Sequence, residues 1–309
     1  MARHLLRRLG GIILALFAVS VVVFTILNSA PGDAADVLVG DTGSQSQLDQ
    51  LRREMGLDLP LAARYLRFMT GLLTRGDLGR SLITNHHVRE MIGERLPYTL
   101  VLALASTSLA AAAGVAIGMA AALRAGGLVD TVIMGFTSLG LAVPSFWSGL
   151  LLIMLFSLQL GWLPVVGAGS VVHLVLPAVT LALPTTAVVA RMMRSALLDQ
   201  LAASYVWTAR AKGLPPRSVL LGHVMRNSLI PVLTLLGLHL GHLLGGAFIV
   251  ETVFGWPGLG RLAVQAIFDR DMPVVMGAAL TVAVIYLLIN FIVDLLSAWL
   301  DPRMARGSL

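Results

Sequence analysis

The 309-residue chain contains no cysteine, so disulfide frameworks, cysteine-based zinc sites and thiol chemistry are all excluded. Charged residues are scarce as well. They form 12% of the chain, against about 25% in an ordinary soluble domain. A larger core cannot absorb that deficit, because the buried fraction grows only slowly with chain length. The hydrophobic share of 57% and a mean hydropathy of +0.86 therefore indicate an integral membrane protein.

Several functional motifs are also missing. There is no G-x-x-x-x-G-K-[ST] stretch, so the chain cannot cradle nucleotide phosphates as a P-loop does. It has neither H-E-x-x-H nor paired intramembrane aspartates, as a membrane enzyme would, and no ring of charges as in a channel filter. The net charge of +6 is not gathered into a basic, aromatic-interleaved stretch, which disfavours nucleic acid. These absences favour a transport subunit with no catalytic residue, metal site or cofactor of its own, ahead of an enzyme or a channel.

Charge-free stretches locate the membrane spans, because a charged side chain is costly in hydrocarbon. A bilayer core of about 30 Å needs roughly 20 helical residues. Four of the five charge-free runs fit one span each, while the longest fits two and has turn-forming residues between Gln159 and Ser170. We therefore predict an all-α integral membrane protein with six transmembrane helices. The runs are 9–32, 96–123, 131–190, 227–250 and 272–293.

Six spans place both termini on one side of the membrane. The short segments on that side hold twelve basic residues against four acidic ones, a bias that marks the cytoplasm. The termini are therefore predicted to be cytoplasmic. A cleaved signal peptide is the alternative for residues 1–30, but the apolar stretch Leu9–Leu27 is long for one and no clear cleavage site follows.

This topology divides the chain into four parts. Residues 1–29 form the cytoplasmic N-terminus and span 1, 30–95 an extracytoplasmic segment, 96–299 the transmembrane core, and 300–309 a cytoplasmic tail. The outer segment is predicted to be helical, because five apolar residues follow helical spacing, and it either caps the bundle or docks an extracytoplasmic partner. Those residues are Leu61, Tyr65, Phe68, Met69 and Leu72.

The core contains one long cytoplasmic segment, residues 195–226. Alanine and arginine favour a helix through Lys212, and Gly213 followed by Pro215 and Pro216 ends it. A short basic helix of this kind either lies on anionic lipid or transmits motion from a cytoplasmic motor. The residue types alone leave both interpretations open.

A resemblance decides between them. Thr208-Ala209-Arg210-Ala211-Lys212-Gly213, followed by Met225-Arg226-Asn227-Ser228-Leu229-Ile230-Pro231, resembles the coupling-loop signature of binding-protein-dependent ABC importer permeases. The chain is similar in particular to the B-type permease of the dipeptide/oligopeptide/nickel family. Ser204 and Trp207 depart from its usual acidic and basic residues, which can change the ATPase surface that the helix prefers. Other family motifs, in order, are Ala30-Pro31-Gly32-Asp33, Gly76-Asp77-Leu78-Gly79-Arg80-Ser81, Arg95-Leu96-Pro97, Pro144-Ser145-Phe146-Trp147, Leu160-Gly161-Trp162-Leu163-Pro164, Phe254-Gly255-Trp256-Pro257-Gly258-Leu259-Gly260-Arg261, Arg270-Asp271-Met272-Pro273-Val274-Val275 and Asp301-Pro302-Arg303.

The resemblance implies a machine of several subunits in the bacterial cytoplasmic (inner) membrane. Two cytoplasmic ATPases would bind ATP and magnesium, a homologous second permease would complete the pore, and an extracytoplasmic binding protein would deliver substrate. Small peptides are the default substrate, with nickel, another metal chelate, opines and glutathione as alternatives. The residues that the resemblance assigns to ATPase coupling are Tyr205, Thr208, Ala209, Arg210, Ala211, Lys212 and Gly213.

Two polar pairs lie inside predicted spans. His239 and His242 share a helix face at i, i+3, where they are either neutral hydrogen-bonded imidazoles or part of the substrate pathway. Nickel-type members of the family resemble this chain at His239. Asn290 and Asp294 are i, i+4 near the cytoplasmic end of the last span, and we interpret this pair as structural. An arginine such as Arg191 or Arg194 is a possible partner for Asp294.

Overall fold

A computed structural model describes residues 2–29, 32–39 and 44–300, and in these residues every regular element is a helix. The all-α membrane fold is therefore confirmed. Ala30, Pro31, the predicted tail beyond residue 300, and the side chains of His242 and Asp294 lie outside the described part. The helices are α1 Ala2–Ser29, α2 Ala34–Val39, α3 Gln45–Glu54, α4 Leu61–Arg75, α5 Val88–Leu123, α6 Leu128–Ala142, α7 Ser145–Leu152 with a π-helical continuation Ile153–Gln159, α8 Val171–Leu201, α9 Ser204–Ala211, α10 Pro216–Val219, α11 Met225–Val253, α12 Leu259–Phe268 and α13 Met272–Leu300.

Five long apolar stretches of these helices can cross a membrane by length and composition. A sixth span is available if α6 and α7, which meet at 104°, are counted together as one broken span. Six spans are thus reached only with that bent pair. The five stretches are Gly10–Ser29, Val88–Leu123, Val171–Leu201, Pro216–Gly241 and Met272–Val293.

The third span is bent, a feature that the charge-free run did not indicate. Val143 is extended (φ −87°, ψ 123°) and Pro144 follows it. Proline lacks the N–H that would continue the helix, and its ring disfavours the α conformation in the preceding residue. The helix must therefore stop at Ala142 and restart at Ser145. The predicted break between the third and fourth spans is confirmed, because residues 160–170 are not helical.

Two helices extend well past the charge-free runs that located them. The fifth span, predicted to begin at residue 227, starts in α10 at Pro216 and passes through a π-helical turn, Leu220–Val224, into α11. The helix of the second span begins at Val88 rather than 96 and carries Pro97 inside it. Charge marks the hydrocarbon boundary, whereas a backbone helix can continue into water, so the runs underestimate both helices.

The chain forms two compact units, and each is considered separately. The first comprises Met1–Thr99 and Pro257–Leu287. Its outer segment contains the predicted amphipathic helix, α4, which packs on α1 through Tyr65: the Tyr65 hydroxyl lies 2.8 Å from Ser20 Oγ, and its ring meets Phe24 edge-on at 5.1 Å.

Polar contacts fasten the loops of this first unit. The Arg52 guanidinium donates to Asp33 Oδ2 at 2.8 Å and to Asp36 Oδ1 at 3.0 Å, which ties α3 to the start of α2. Further along, the buried Asp271 carboxylate accepts from the Ser81 hydroxyl at 2.5 Å and from the Leu82 N–H at 3.1 Å. The first contact thus braces the beginning of the outer segment internally, and the second ties its later part to the residue before α13.

The second unit comprises Leu100–Trp256 and Leu288–Leu309, and two apolar clusters fill its described part. One surrounds Phe254 and Trp256. The other, which we call the α9 core, packs side chains from α5, α8, α9, α10 and α11 together. Its fully buried members are Val189, Met193, Leu197, Val206, Val219, Val224 and Val232.

Candidate functional site

The predicted coupling segment forms a short helix, α9, with a well-defined end. It begins after Ala203, whose backbone is extended (φ −69°, ψ 145°). At its C-terminus the Gly213 N–H donates to the Arg210 carbonyl at 2.9 Å and the Leu214 N–H donates to the Ala209 carbonyl at 3.3 Å. This is a Schellman motif, and it requires the left-handed conformation (φ +77°) that Gly213 adopts.

The predicted coupling residues divide by burial into an anchor and an open surface. Ala209 is buried and, with Val206 (1% exposed), inserts into the α9 core. Tyr205 is half-buried, and its hydroxyl donates to Gln200 Oε1 at 2.8 Å. The other five predicted residues, Thr208, Arg210, Ala211, Lys212 and Gly213, are exposed.

The exposed side of α9 continues beyond the predicted residues. Every residue from Arg210 to Ser218 is exposed, and Trp207 presents 66% of its surface. Trp207, Arg210 and Ala211 are spaced i, i+3, i+4, so they share one helix face. Sequence reasoning named Trp207 only as a departure from the family pattern. Trp207 precedes the buried Ala209 by two residues and so lies on the opposite side of the helix, but that burial comes from the structure and gave sequence reasoning no signal.

An ion pair joins α8 to the start of α6 in the same unit. Arg194 Nε and a terminal guanidinium nitrogen each donate to Asp130 at 2.6 Å, and the Gly126 N–H donates to the same carboxylate at 2.9 Å. Asp130 is 4% exposed. Arg194 is therefore engaged by Asp130, while Arg191 donates to Ser138 Oγ at 3.2 Å. The suggested pairing of either arginine with Asp294 stays a prediction, because the Asp294 side chain lies outside the described part.

We expect Arg194→Gln to lower the thermal unfolding midpoint by about 5 °C, because it leaves the buried Asp130 carboxylate without its bidentate partner. The double variant Asp130→Asn with Arg194→Gln should recover part of that loss, since no buried charge then remains. Melting of the purified chain in detergent measures both. Equal or additive losses in the single and double variants would contradict a coupled pair.

The two histidines lie elsewhere in the unit. His239 is half-buried in α11, fourteen residues after Met225, or roughly 21 Å along the helix axis. It lies one helical turn beyond Leu236, a buried α11 member of the α9 core. Within the part of the chain that the structure describes, no three histidine, aspartate or glutamate side chains gather as metal ligands.

Comparison with known proteins covers almost the whole chain. The family "Binding-protein-dependent transport system inner membrane component" matches residues 114–306, and its N-terminal counterpart matches residues 1–103. The chain is 40% identical to the glutathione transport system permease protein GsiC of Pectobacterium atrosepticum over 304 residues. It is also 40% identical to the di/tripeptide transport system permease protein DppB of Pseudomonas aeruginosa over 333 residues. Each match covers 98% of this chain and 99% of the relative.

Solved structures show the same fold at low identity. An inward-facing MetNI methionine ABC transporter matches with a TM-score of 0.56 and 16% identity over 68% of this chain and 96% of that chain. An amino acid ABC transporter matches with a TM-score of 0.52 and 19% identity over 70% of this chain and 94% of that chain.

The family match extends over more than half of the chain, and the relatives match it from end to end. Together with the apolar helices, this makes the chain a multi-pass inner membrane protein and a transport subunit that works with ATPase and binding-protein partners. The chain therefore belongs to the inner membrane components of binding-protein-dependent transport systems, as an ABC importer permease of the peptide/oligopeptide family.

Proposed function

We propose that this chain forms half of a pore for small peptides and that α9 couples the pore to a separate ATPase. The observation that carries the coupling role is the two-sided character of α9. Val206 and Ala209 are buried in the α9 core, while Arg210, Lys212 and Gly213 face outward. Such a helix offers exposed side chains to a partner protein, while its buried side chains hold it against the neighbouring helices of its own chain.

The burial of Val206 and Ala209 indicates how motion would pass from α9 to the membrane spans. The α9 core contains buried side chains from α8, α10 and α11 as well as α9. Because such an interior is close-packed, a displacement of α9 is transmitted to those helices rather than absorbed locally. Closure of an ATPase around α9 would thus rock several spans as a rigid body.

The complete importer that we propose has two ATPases, a second homologous permease and one extracytoplasmic binding protein. In this importer, both termini and α9 of the chain are cytoplasmic. The excess of basic residues in the short segments on that side supports this orientation. Since the chain has no P-loop motif, nucleotide and magnesium are held by the partner ATPases.

Small peptides are the substrate class best supported. The relatives include a di/tripeptide permease and a glutathione permease, and glutathione is itself a small peptide-like molecule. We place His239 and His242 on the substrate pathway, where imidazole can hydrogen-bond a peptide or meet a soft metal. Nickel, other metal chelates and opines remain the alternative class on account of His239.

Uptake by the assembled importer tests this function. The tagged chain should co-purify with ATPase subunits and, in proteoliposomes with its binding protein, should import labelled dipeptide and hydrolyse ATP faster when the dipeptide is present. Glutathione and nickel ions serve as parallel arms. If nickel alone stabilises the binding protein and stimulates hydrolysis, the peptide assignment is wrong. If no ATPase co-purifies, the transport role itself is wrong.

A further inference from the structure

The first unit contains a cavity of about 550 Å³ bounded by α1, α4 and the beginning of α13. This volume is within the range of small-molecule sites, about 300–1,000 Å³. The wall has two chemical characters, since most of it is apolar but three arginines, Arg64, Arg67 and Arg75, also line it. The large apolar residues include Phe24, Met55, Leu57, Phe68, Met272 and Met276.

The charge of this cavity favours an anion. Asp77 is the one acidic side chain among the lining residues, and it already accepts the Gly79 N–H at 2.8 Å. Within the described residues, the half-buried Arg64 guanidinium has no hydrogen-bond acceptor. Burial lowers the pKa of Arg64, although the Asp33 carboxylate opposes that shift. An anionic group bound here would supply acceptors for charge-assisted hydrogen bonds from Arg64 and so offset part of its desolvation cost.

The depth of the cavity indicates where that anion comes from. Phe24 lies five residues before Ser29, the end of α1, and Met276 lies four residues after Met272, the start of α13. At 1.5 Å per residue, the wall is about 6–7.5 Å inside the ends of both apolar helices. Groups at this depth lie at the boundary between headgroups and acyl chains.

The surface of α4 agrees with this placement. Leu66 and Leu73 are 62% and 77% exposed and are spaced i, i+7, so they form one apolar face. The hydroxyl of Tyr65 on the same helix extends to Ser20, one turn deeper along the apolar stretch Gly10–Ser29 than Phe24. A helix attached to the apolar stretch in this way presents its exposed leucines to lipid and not to water.

We propose that this cavity binds an anionic phospholipid of the outer leaflet, with its phosphate on Arg64 and Arg67 and an acyl chain against Phe24, Phe68 and Met276. The leaflet rests on the proposed orientation, whereas the site itself rests on the cavity. A soluble phosphate would satisfy the arginines but would leave the apolar wall unfilled. A phospholipid supplies a phosphate for the arginines and an acyl chain for the apolar wall, and it is present at the depth where the cavity lies.

Native mass spectrometry of the assembled importer, purified with phosphatidylglycerol or phosphatidylcholine, tests the site. The wild type should retain phosphatidylglycerol in preference to phosphatidylcholine, and the double variant Arg64→Gln with Arg67→Gln should retain at least tenfold less. Arg53→Gln is the matched control, because Arg53 is exposed in the same unit but does not line the cavity. Inorganic phosphate is added as a competitor in a separate arm.

A second variant tests the acyl part without touching charge. Gly71 lines the cavity, and a Cβ there meets only the Asp77 carbonyl at 3.5 Å, an ordinary contact. Gly71→Leu should therefore fold and also reduce phosphatidylglycerol retention at least tenfold. Equal retention by all variants, displacement of the lipid by inorganic phosphate, or burial of the cavity by a partner subunit would each overturn the proposal. Lipid retention is measured apart from uptake, so its failure is distinguishable from failure of the transport function.

Discussion

Replacing Gly118 with alanine is expected to destabilise the second unit by about 2 kcal/mol, a large effect for a single methyl group. Gly118 is buried where α5 crosses α8. A Cβ at this position would meet the Ala190 carbonyl oxygen at less than contact distance and would lie 2.8 Å from Met193 Cβ. Ala190 and Met193 are fully buried, so neither helix can yield without disturbing the α9 core.

The same replacement at Gly93 is the matched control. Gly93 lies in the same helix, α5, but it is exposed and a Cβ there meets nothing within 4 Å. Alanine favours a helix by about 1 kcal/mol over glycine, so Gly93→Ala should leave the unfolding midpoint unchanged or raise it. Gly118→Leu should give no folded protein by fluorescence-detected size exclusion. If Gly118→Ala had the same unfolding midpoint as the wild type, α5 and α8 could move apart without loss of stability.

Much of this fold could be predicted from where charges are absent. Charge-free runs found the apolar stretches because the penalty for a charge in hydrocarbon applies to each residue separately. They did not find the 104° bend at Pro144 or the start of the fifth span's helix at Pro216. Both features depend on backbone hydrogen bonding, which a count of charges does not register. The Pro144-Ser145 pair was visible in the sequence, but a proline can kink, end or begin a helix.

The end of the coupling helix could be predicted from the sequence, but its attachment to the rest of the chain could not. A helix ending at Gly213 follows from local rules, since glycine and two prolines act on neighbouring residues. The burial of Val206 and Ala209 depends on distant residues of α8 and α10, as does the choice of Asp130 as the partner of Arg194. Long-range packing of that kind has no signature in a single sequence.

The second large effect is expected at the end of α9, where Gly213→Pro should abolish transport while the protein still inserts and folds. Proline fixes φ near −65°, whereas Gly213 needs +77°, and it removes the N–H that donates to the Arg210 carbonyl. The Schellman motif cannot form, so the exposed residues after Arg210 change direction. Gly213→Asn is the matched control, because asparagine tolerates the left-handed conformation and keeps the N–H.

Lys212→Glu is expected to abolish transport by another route, because it reverses a charge on the surface that we propose contacts the ATPase and leaves the backbone intact. Lys212 is exposed, and Gly213 beside it has open space around it. Arg217→Glu makes the same change of charge outside the coupling motif and should retain most activity. Substrate-stimulated ATP hydrolysis in proteoliposomes measures each variant, with size exclusion to verify folding. Normal stimulation of ATP hydrolysis in both Gly213→Pro and Lys212→Glu would show that α9 is not the coupling element. Equal loss of stimulation in Lys212→Glu and Arg217→Glu would show that net charge, and not the position of Lys212, controls the contact with the ATPase.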